Sequence, residues 1–444
     1  MPAIRRFLIL RIALAAVFAI GPALCAQQPQ PSTPQPAQAQ HAQPQSQQAY
    51  TLPPDKLAQA IALNRIQLTL EIVGTAWGLA VLWIFLASRA AARLERWSQS
   101  RTSRRWIQGL HFFAVFIVIV TIASLPLDVI GHAASHHYGI SVQHWPGWFG
   151  DWAKSLTISL VLGSLILLLF NWIVRVSPRR YWVWAWLITL PLIVASVFLT
   201  PLVIDPLFNK FEPLQQTHPA LVNKLEEVVA KTGTHIPPNR MFLMKASLKS
   251  NGLNAYVTGI GASKRFVMWD TATDRLPDDE VLFIFGHESG HYVLNHIPKM
   301  LGITAVALFF VFWGCARFAE WMVRRYGARW QIESVAGRAG FITLIFAVSI
   351  AGFLLAPAAN TMSRHYEHQA DVYGQEAIHG LVPDPQKTAV SAFNHLGEAW
   401  LEDPNPNPIV EFWDYNHPSV KNRANFAAHY DPWKNGGHGR YFSK

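Results

Sequence analysis

Long apolar runs, separated by short polar segments, dominate the pattern of this 444-residue chain. A helix needs about 20 predominantly apolar residues to cross the hydrocarbon core of a bilayer. Six runs reach this length, and they cover about residues 66–88, 107–130, 153–174, 181–204, 300–323 and 339–361. The pattern therefore predicts a mainly α, polytopic membrane protein with six membrane helices after its N-terminal segment.

The first 58 residues differ from the rest. Basic residues precede an apolar stretch that ends at the small residues around Cys25, so residues 1–26 are predicted to be a signal peptide. Alternatively, they form an uncleaved anchor, which would be a seventh membrane helix. Residues 27–58 are rich in Gln, Pro and Ala and are predicted to be a disordered linker, because they contain too little apolar surface for a core.

The apolar runs divide the remainder into four predicted parts. These are a transmembrane domain of four helices at 59–204, a mixed domain at 205–299, a pair of membrane helices at 300–361 and a C-terminal segment at 362–444. Periodicity within the mixed domain predicts a helix over 221–231, strands at 240–244 and 265–269, and an edge strand at 254–258. We expect a small α+β domain there.

Charge distribution predicts the orientation of the helices. Only 14% of the residues are charged, and the formal charge of +10 comes mainly from arginines between apolar runs, which favours a lipid bilayer over nucleic acid as the partner. Arginines crowd the segments 89–105, 175–180 and 324–338. These segments share one side when six spans alternate, and that side should be cytoplasmic. The mixed domain and the C-terminal segment would then lie on the outer face.

The pentapeptide His-Glu-Ser-Gly-His at 287–291 is the strongest chemical signal in the chain. On a helix its histidines stand at i and i+4, so both imidazoles leave one face and can bind one zinc ion. Glu288, next to them, can take a proton from a water molecule at the metal. Acidic residues after Pro277 predict the start of this helix, and Gly290 predicts a close approach by a neighbouring element. The alternative is a pair of core histidines with satisfied hydrogen bonds.

A catalytic zinc site has three protein ligands and an open position for water, so one more ligand is expected. One protease class places a third histidine at the position that Ile297 occupies, after a glycine where this chain has Leu294. His296 is out of register. Glu320 and Glu333 are predicted near the cytoplasmic ends of helices, about a bilayer thickness away. The third ligand must therefore come from further along the chain.

Glu367 follows the last predicted membrane helix, on the same side as the motif. Glu367 and Asp371 stand at i and i+4, so a helix would present both carboxylates on one face. Glu367 can bind zinc, while Asp371 can accept the second N–H of a ligand histidine and fix its tautomer. The alternative is a solvated juxtamembrane helix.

These residues resemble the type I CAAX prenyl protease family, a group of integral-membrane zinc metalloendopeptidases. The matching blocks are the motif at 287–291, Ser363-Arg364-x-x-Glu367-x-x-Ala370-Asp371, and His417-Pro418-Ser419 with Arg423. The segments Asn254-Ala255-Tyr256 and 205–211 also resemble family sequences, so the likeness extends from about residue 60 to 430.

The resemblance implies a ring of membrane helices around a large water-filled chamber, capped by a small zincin-like α+β domain. It implies one Zn²⁺ per chain, bound by His287, His291 and Glu367. It also implies that Asn254 and His417 contact the substrate near the scissile bond. On the residues alone, either of these two side chains can instead serve only the turn in which it stands.

Each remaining residue of the predicted site has an expected role. Glu288 is the general base, which passes its proton to the leaving amine. His417 is the candidate donor to the tetrahedral oxyanion. The residues expected to support the site from behind are Asp371, Arg364 and Arg423. The residues expected to bind substrate, as part of an edge strand that accepts it as an added strand, are Asn254, Ala255 and Tyr256.

A second cluster of histidines occupies the segment 131–152. Its members are His132, His136, His137 and His144. Their spacing matches no ligand pattern that would hold zinc, so we predict an exposed loop at the membrane interface. A second metal site is the alternative.

The sequence thus predicts a zinc metalloendopeptidase that acts on a peptide or protein substrate, with the catalytic domain on the periplasmic side of a bacterial inner membrane. Six spans, one fewer than in the family's eukaryotic members, would put this domain on the opposite face from theirs. One alternative is a quality-control protease with no prenyl substrate. Another is a transporter or receptor with a structural zinc site, which would bury ionisable residues at mid-membrane or close the metal with a fourth ligand. Glu71 is expected near one end of its span rather than at mid-membrane, so it does not favour the transporter.

Overall fold

The computed structural model describes residues 49–259 and 264–442. The predicted signal peptide or anchor at 1–26 and most of the predicted linker lie outside the described residues. The helices are numbered in chain order as α1 Pro54–Ala87, α2 Ala90–Arg101, α3 Arg105–His137, α4 Trp145–Val176, α5 Tyr181–Phe208, α6 Leu214–Thr217, α7 Pro219–Thr232, α8 Asp270–Arg275, α9 Asp278–Val293, α10 His296–Trp330, α11 Arg338–Ala377, α12 Pro385–Trp400, α13 Pro408–Asp414 and α14 Val420–His429.

Six of these helices are long and apolar enough to cross a membrane, which confirms the predicted spans. They are α1, α3, α4, α5, α10 and α11. Their lengths of 28 to 40 residues exceed the roughly 20 that a bilayer requires, so each helix continues beyond the hydrocarbon core. In α3, α5 and α10 only 22% of the most apolar stretch is buried within the protein, so most of it is free to face lipid or the interior of the helix ring.

Helix α1 begins earlier than the sequence analysis predicts. Pro54 occupies the first turn, where its missing N–H costs no hydrogen bond. Just before it, Tyr50 is fully buried and donates its hydroxyl to the Glu402 carbonyl at 2.9 Å. These contacts anchor the chain, so the predicted linker does not extend to residue 58. The early start adds residues 54–65 before the apolar run, so Glu71, near one end of that run, lies near the middle of this 34-residue helix.

The histidine-rich segment 131–152 is mostly helical rather than a loop. Helix α3 continues into it and α4 begins within it, so only 138–144 connect the two helices. His132 is buried, with ring centroids 4.7 Å from Trp145 and 5.1 Å from Trp148. The prediction of exposure is therefore wrong for His132, which two indole rings cover, whereas the other three histidines are exposed. Among the described residues, these histidines form no group of three metal ligands.

A four-stranded sheet forms the β part of the mixed domain. Its strands are β1 Phe211–Pro213, β2 Met241–Met244, β3 Ala255–Thr258 and β4 Arg265–Trp269, in the order β1-β2-β4-β3. Strands β2 and β4 are parallel, and the outer strands pair antiparallel with them. The three predicted strands and the edge position of β3 are confirmed. The short β1 has no counterpart in the prediction, because three residues that end in a proline carry no strand pattern.

The three arginine-rich segments meet at one end of the helix bundle, as alternating spans require. Arg89 donates its Nε–H to the Arg329 carbonyl at 3.0 Å. The Glu95 carboxylate accepts the backbone N–H groups of Arg338 and Ala339, both at 3.0 Å, and so caps the start of α11. Helix α4 leads to the arginine-rich segment 175–180. Near its end, the Asn171 side-chain amide donates to the Ala336 carbonyl, in the segment 324–338, at 3.3 Å.

Two of the predicted domain divisions fall inside continuous helices. Helix α5 passes through the division at 204/205, and α11 passes through the one at 361/362 without a break. The membrane helices therefore extend directly into the mixed domain. There they join a shared apolar core to which both 205–299 and 362–444 contribute, as in the contact between Phe283 and Phe393 at 5.2 Å between ring centroids.

Helices α9 and α11 cross at short range because glycines stand at their contact. A Cβ atom on Gly374 would lie 2.8 Å from the backbone nitrogen of His287 and 3.0 Å from its Cα. A Cβ atom on Gly290 would lie 2.9 Å from the Cβ of Tyr373. The close approach predicted at Gly290 is confirmed, and it explains why a poor helix former stands inside this helix.

Gly374→Ala should lower the stability of the protein by about 1–3 kcal/mol, because the added methyl group meets backbone that cannot move aside cheaply. Gly352→Ala, on the same helix, is the matched control. A Cβ there meets nothing within 4 Å, so the higher helix propensity of alanine should leave stability unchanged or slightly raised. Thermal unfolding of the two variants in detergent tests this. Equal shifts of the melting temperature would contradict the close crossing.

Candidate metal centre

Helix α9 carries the two histidines of the motif on one face. It starts after Pro277 with three acidic residues in its first turn, as predicted, where carboxylates favour the exposed N–H groups. The spacing of i and i+4 brings the Nε2 atoms of His287 and His291 to 3.2 Å from each other. Both residues are buried, with 7% and 6% of their surface exposed, so little water competes for their nitrogens.

Glu367 reaches the same point from α11. Its carboxylate oxygens lie 3.3 Å from His287 Nε2 and 3.4 Å from His291 Nε2. Candidate ligand atoms of these three buried residues all lie within 4.8 Å of one another. No other group of three or more such side chains occurs in the part of the chain that the structure describes. The structure thus brings together the three residues that the sequence analysis selects as ligands.

The chemistry of this donor set fits a metal cation. Two neutral imidazoles whose lone pairs face each other at 3.2 Å repel, unless a proton or a cation lies between them. Two ring nitrogens and one carboxylate are a familiar ligand set for divalent transition metals, and especially for zinc. His417 is not part of the three-residue group, so the described protein ligands leave a coordination position open.

Glu288 is held beside the ligands by the sheet. The backbone N–H of Val257, in the edge strand β3, donates to Glu288 Oε2 at 3.2 Å. Burial raises the pKa of the Glu288 carboxyl, although the neighbouring imidazoles of His287 and His291 oppose the shift. A carboxyl with a raised pKa is a stronger base once ionised, which suits proton transfer near neutral pH.

A buried ion pair supports His287 from behind. Its Nδ1 lies 2.8 Å from Asp371 Oδ1. Arg423, with 6% of its surface exposed, donates to both oxygens of Asp371, at 2.9 and 2.6 Å, and its guanidinium lies 4.5 Å from the ring centroid of Phe393. Asp371 orients the imidazole, and Arg423 balances the charge of Asp371. Both residues therefore lie where residues that support a metal ligand are expected.

His417 approaches the centre from the loop between α13 and α14. Its Nε2 lies 3.2 Å from Glu367 Oε2, and its Nδ1 lies 2.8 Å from Asn416 Oδ1. Burial lowers the pKa of His417 to about 4, although the Glu367 carboxylate opposes the shift. His417 is therefore neutral at pH 7.

Arg364 holds this loop. Its guanidinium donates to the backbone carbonyls of Glu411, Phe412 and Tyr415 at the end of α13, just before His417. On the other side, the Glu411 carboxylate accepts the backbone N–H of Ser419 at 3.0 Å. These bonds satisfy the last carbonyls of a short helix and fix the course of the loop.

Strand β3 runs along the edge of the sheet beside Glu288. The carbonyl of Asn254 accepts the backbone N–H of Trp269 at 3.1 Å, so Asn254 continues the ladder beyond the strand. Tyr256 pairs with Val267 of β4. In an antiparallel pair, backbone groups of successive residues point alternately towards and away from the partner strand. Since the Asn254 carbonyl points towards β4, the N–H and C=O of the next residue, Ala255, point to the free edge. Contact of these residues with a substrate stays a prediction.

Three participants have no counterpart among the predicted site residues. The Val257 N–H is a backbone group, so no residue type announces it. His296, set aside as a ligand, lies with its Nδ1 3.1 Å from His291 Nδ1, and Gln369 lies behind His296. The signal for these two was available in principle, because His296 stands only five residues after His291 and Gln369 lies between Glu367 and Asp371.

Two family models match the chain. One, described as "CAAX prenyl protease N-terminal, five membrane helices", matches residues 35–210. The other, described as "Peptidase family M48", matches residues 212–431 and so includes all three candidate ligands.

Similar proteins cover most of the chain. The uncharacterized metalloprotease YhfN of Bacillus subtilis (strain 168) is 32% identical over 376 residues, which are 85% of this chain and 86% of that protein. CAAX prenyl protease 1 of Saccharomyces cerevisiae is 27% identical over 346 residues, 71% of each chain. The crystal structure of S. mikatae Ste24p has a TM-score of 0.72 at 22% identity and covers 84% of this chain and 89% of that one. This likeness confirms the predicted fold class, a mainly α polytopic protein with helices around a chamber and a small α+β domain.

Asp371→Asn should lower metal affinity by about 10–100-fold, because an amide orients the His287 imidazole less firmly than a carboxylate does. The matched control is Glu376→Gln on the same helix. That buried carboxylate accepts backbone N–H groups of residues 440–442 and lies outside the metal group. Competition with a coloured chelator measures both affinities. Equal affinity of the Asp371→Asn variant and the wild-type protein would contradict the role of Asp371.

Proposed function

The chain belongs to peptidase family M48 and is an integral-membrane metalloendopeptidase, and we propose that it cuts peptide bonds with one Zn²⁺ bound by His287, His291 and Glu367. The observation that carries this proposal is the buried convergence of these three side chains at the crossing of α9 and α11. Two imidazoles, one carboxylate and an open position are the composition of a catalytic zinc site, whereas a structural zinc site is closed by a fourth protein ligand.

The chemistry divides between the ion and the protein. A bound Zn²⁺ would polarise the scissile carbonyl and acidify the attacking water. Glu288, oriented by the Val257 N–H, takes the proton of that water and delivers it to the nitrogen of the leaving amine. His417, fixed by the Arg364 contacts on its loop, is the candidate donor to the oxygen that gains negative charge. This role requires the neutral tautomer with its proton on Nε2, the nitrogen that lies 3.2 Å from Glu367 Oε2.

The substrate is proposed to bind as an extended strand along β3. The edge position of this strand leaves backbone groups free to pair with a peptide, and one of its N–H groups already touches the general base. Asn254, Ala255 and Tyr256 would then contact the residues next to the scissile bond. Backbone pairing selects an extended conformation more than a particular sequence, which suits a protease with a range of substrates.

We further propose that the catalytic domain faces the periplasm of a bacterial inner membrane. The support is the cluster of arginine-rich segments at the opposite end of the helices, which the positive-inside rule assigns to the cytoplasm. Relatives named CAAX prenyl protease 1 imply a prenylated substrate for themselves. A periplasmic site would not meet proteins prenylated in the cytosol, so we favour unprenylated, membrane-associated peptide segments as the substrate.

Glu288→Gln should retain about one zinc per chain and reduce peptide cleavage by about 10²–10⁴-fold, because it removes only the general base. His287→Ala should lose both zinc and cleavage. Asp279→Asn, the same type of change in a partly exposed residue of α9, should lose neither. The measurements are zinc content and mass spectrometry of peptides released from denatured membrane proteins by purified enzyme. Full activity of the Glu288→Gln variant would refute its role, and a zinc-loaded wild type without any cleavage would favour a structural site.

Orientation can be tested with single cysteines in a background that lacks Cys25 and Cys315. Glu226→Cys, exposed on α7 of the mixed domain, should react with an impermeant maleimide in spheroplasts. Ser100→Cys, exposed on α2 at the arginine-rich end, should react only after the membrane is ruptured. The reverse pattern would assign the catalytic domain to the cytoplasm and reopen the question of prenylated substrates.

A further inference from the structure

His296 lies directly behind the candidate ligand His291. It is almost completely buried, and the Nδ1 atoms of the two rings are 3.1 Å apart. Local backbone geometry brings it there. Asn295 adopts a left-handed conformation, with φ 56° and ψ 39°, so α9 ends and α10 begins within a few residues. Asparagine tolerates this conformation better than most residues, and the sharp turn directs the first side chain of α10 back towards the motif.

A chain of hydrogen bonds continues from His296 to the surface. His296 Nε2 lies 3.0 Å from Gln369 Oε1, and Gln369 Nε2 lies 2.9 Å from His365 Nε2. The ring of Tyr366 packs against His296, with centroids 4.6 Å apart. Gln369 and His365 stand at i and i+4 on α11, the helix that also provides Glu367. The Nδ1 atom of His291 is therefore linked, through His296, to α11, the helix that carries Glu367.

One assignment of protons satisfies every donor and acceptor in this series of hydrogen bonds. If His291 uses Nε2 as its ligand atom, a neutral ring carries its proton on Nδ1 and must donate it. His296 then accepts on Nδ1 and carries its own proton on Nε2, which it donates to Gln369 Oε1. The Gln369 amide in turn donates to His365. A ligand histidine normally donates its second N–H to a carboxylate, a carbonyl or water, so an imidazole acceptor is distinctive.

We propose that His296 is a positioning residue, which accepts the Nδ1–H of His291 and so fixes the tautomer and the ring orientation of a metal ligand. The inference rests on the proposed metal site. The two ligand histidines are then supported differently, His287 by the carboxylate of Asp371 and His291 by a neutral ring. A neutral support orients the ligand without adding another negative charge to a pocket that already holds Glu288 and Glu367.

Two substitutions of His296 separate this role from simple packing. In His296→Asn, the amide oxygen can take the position of Nδ1 and still accept from His291, but the link to Gln369 is lost. In His296→Gln, the amide reaches the position of Nε2 and keeps the link to Gln369, but no acceptor remains near His291. Glutamine is closer to histidine in length, so packing alone would favour it.

The readout is the zinc dissociation constant of purified protein, measured by chelator competition, together with the visible absorption spectrum of the Co²⁺-loaded protein. His296→Asn should stay within about threefold of wild type and keep its spectrum. His296→Gln should bind zinc about 10–100-fold more weakly, with an altered spectrum. Equal affinities for the two variants, or tighter binding by the glutamine variant, would overturn the proposal.

Gln369→Met provides a second test from the far side of His296, in case neither variant folds. It removes the acceptor of the His296 Nε2–H while leaving His291 and His296 unchanged, and zinc affinity should fall by less than in His296→Gln. An unchanged affinity and Co²⁺ spectrum would overturn the proposal. Failure of the wild-type protein to bind zinc would instead reject the proposed function, so the two failures are distinguishable.

Discussion

The short distance between α9 and α11 is the constraint on which the rest of the site depends. On α11, Glu367, Asp371 and Gly374 stand at i, i+4 and i+7, so one face carries a ligand, its support and the contact point. Gly374 lies against the backbone of His287, and no side chain separates the helices there. A carboxylate side chain is short. Glu367 can therefore reach both imidazoles only because the helix axes approach this closely.

A cation would improve the charge balance among the four ionisable side chains closest to the proposed chemistry. The carboxylates of Glu288, Glu367 and Asp371 share one buried region with the guanidinium of Arg423, which leaves a formal charge of −2 when all four groups are ionised. Burial of net charge is expensive, and Arg423 is already engaged by both oxygens of Asp371. A divalent cation between His287, His291 and Glu367 would bring the sum to zero. The neutral imidazole behind His291 fits this balance, because another carboxylate there would disturb it.

The parts that could be predicted are those that local chemistry encodes. Apolar length predicted the six spans, helical spacing predicted that the histidines of the motif share a face, and strand periodicity predicted an edge strand at 254–258. The errors concern long-range contacts. His132 looked exposed because nothing local indicates the two tryptophan rings that cover it. The anchoring of Tyr50 just before α1 was hidden because its partner, Glu402, is some 350 residues away. The Val257 N–H could not be found at all, since every residue except proline has one.

The continuity of α10 and α11 with the metal centre also sets the height of the site above the membrane. The apolar part of α11 ends near residue 361, and Glu367 follows six residues later, about 9 Å along a helix. On the other helix, His296 begins α10 only four residues before its apolar part. The polar headgroup layer on each side of a bilayer is several ångströms thick, so with the apolar runs placed in the hydrocarbon core the centre would lie at or just above this layer. A rigid connection of this kind keeps the metal from reaching far into solution. It is consistent with the membrane-associated peptide substrate proposed above, and it supplies a physical reason for building a peptidase into membrane helices.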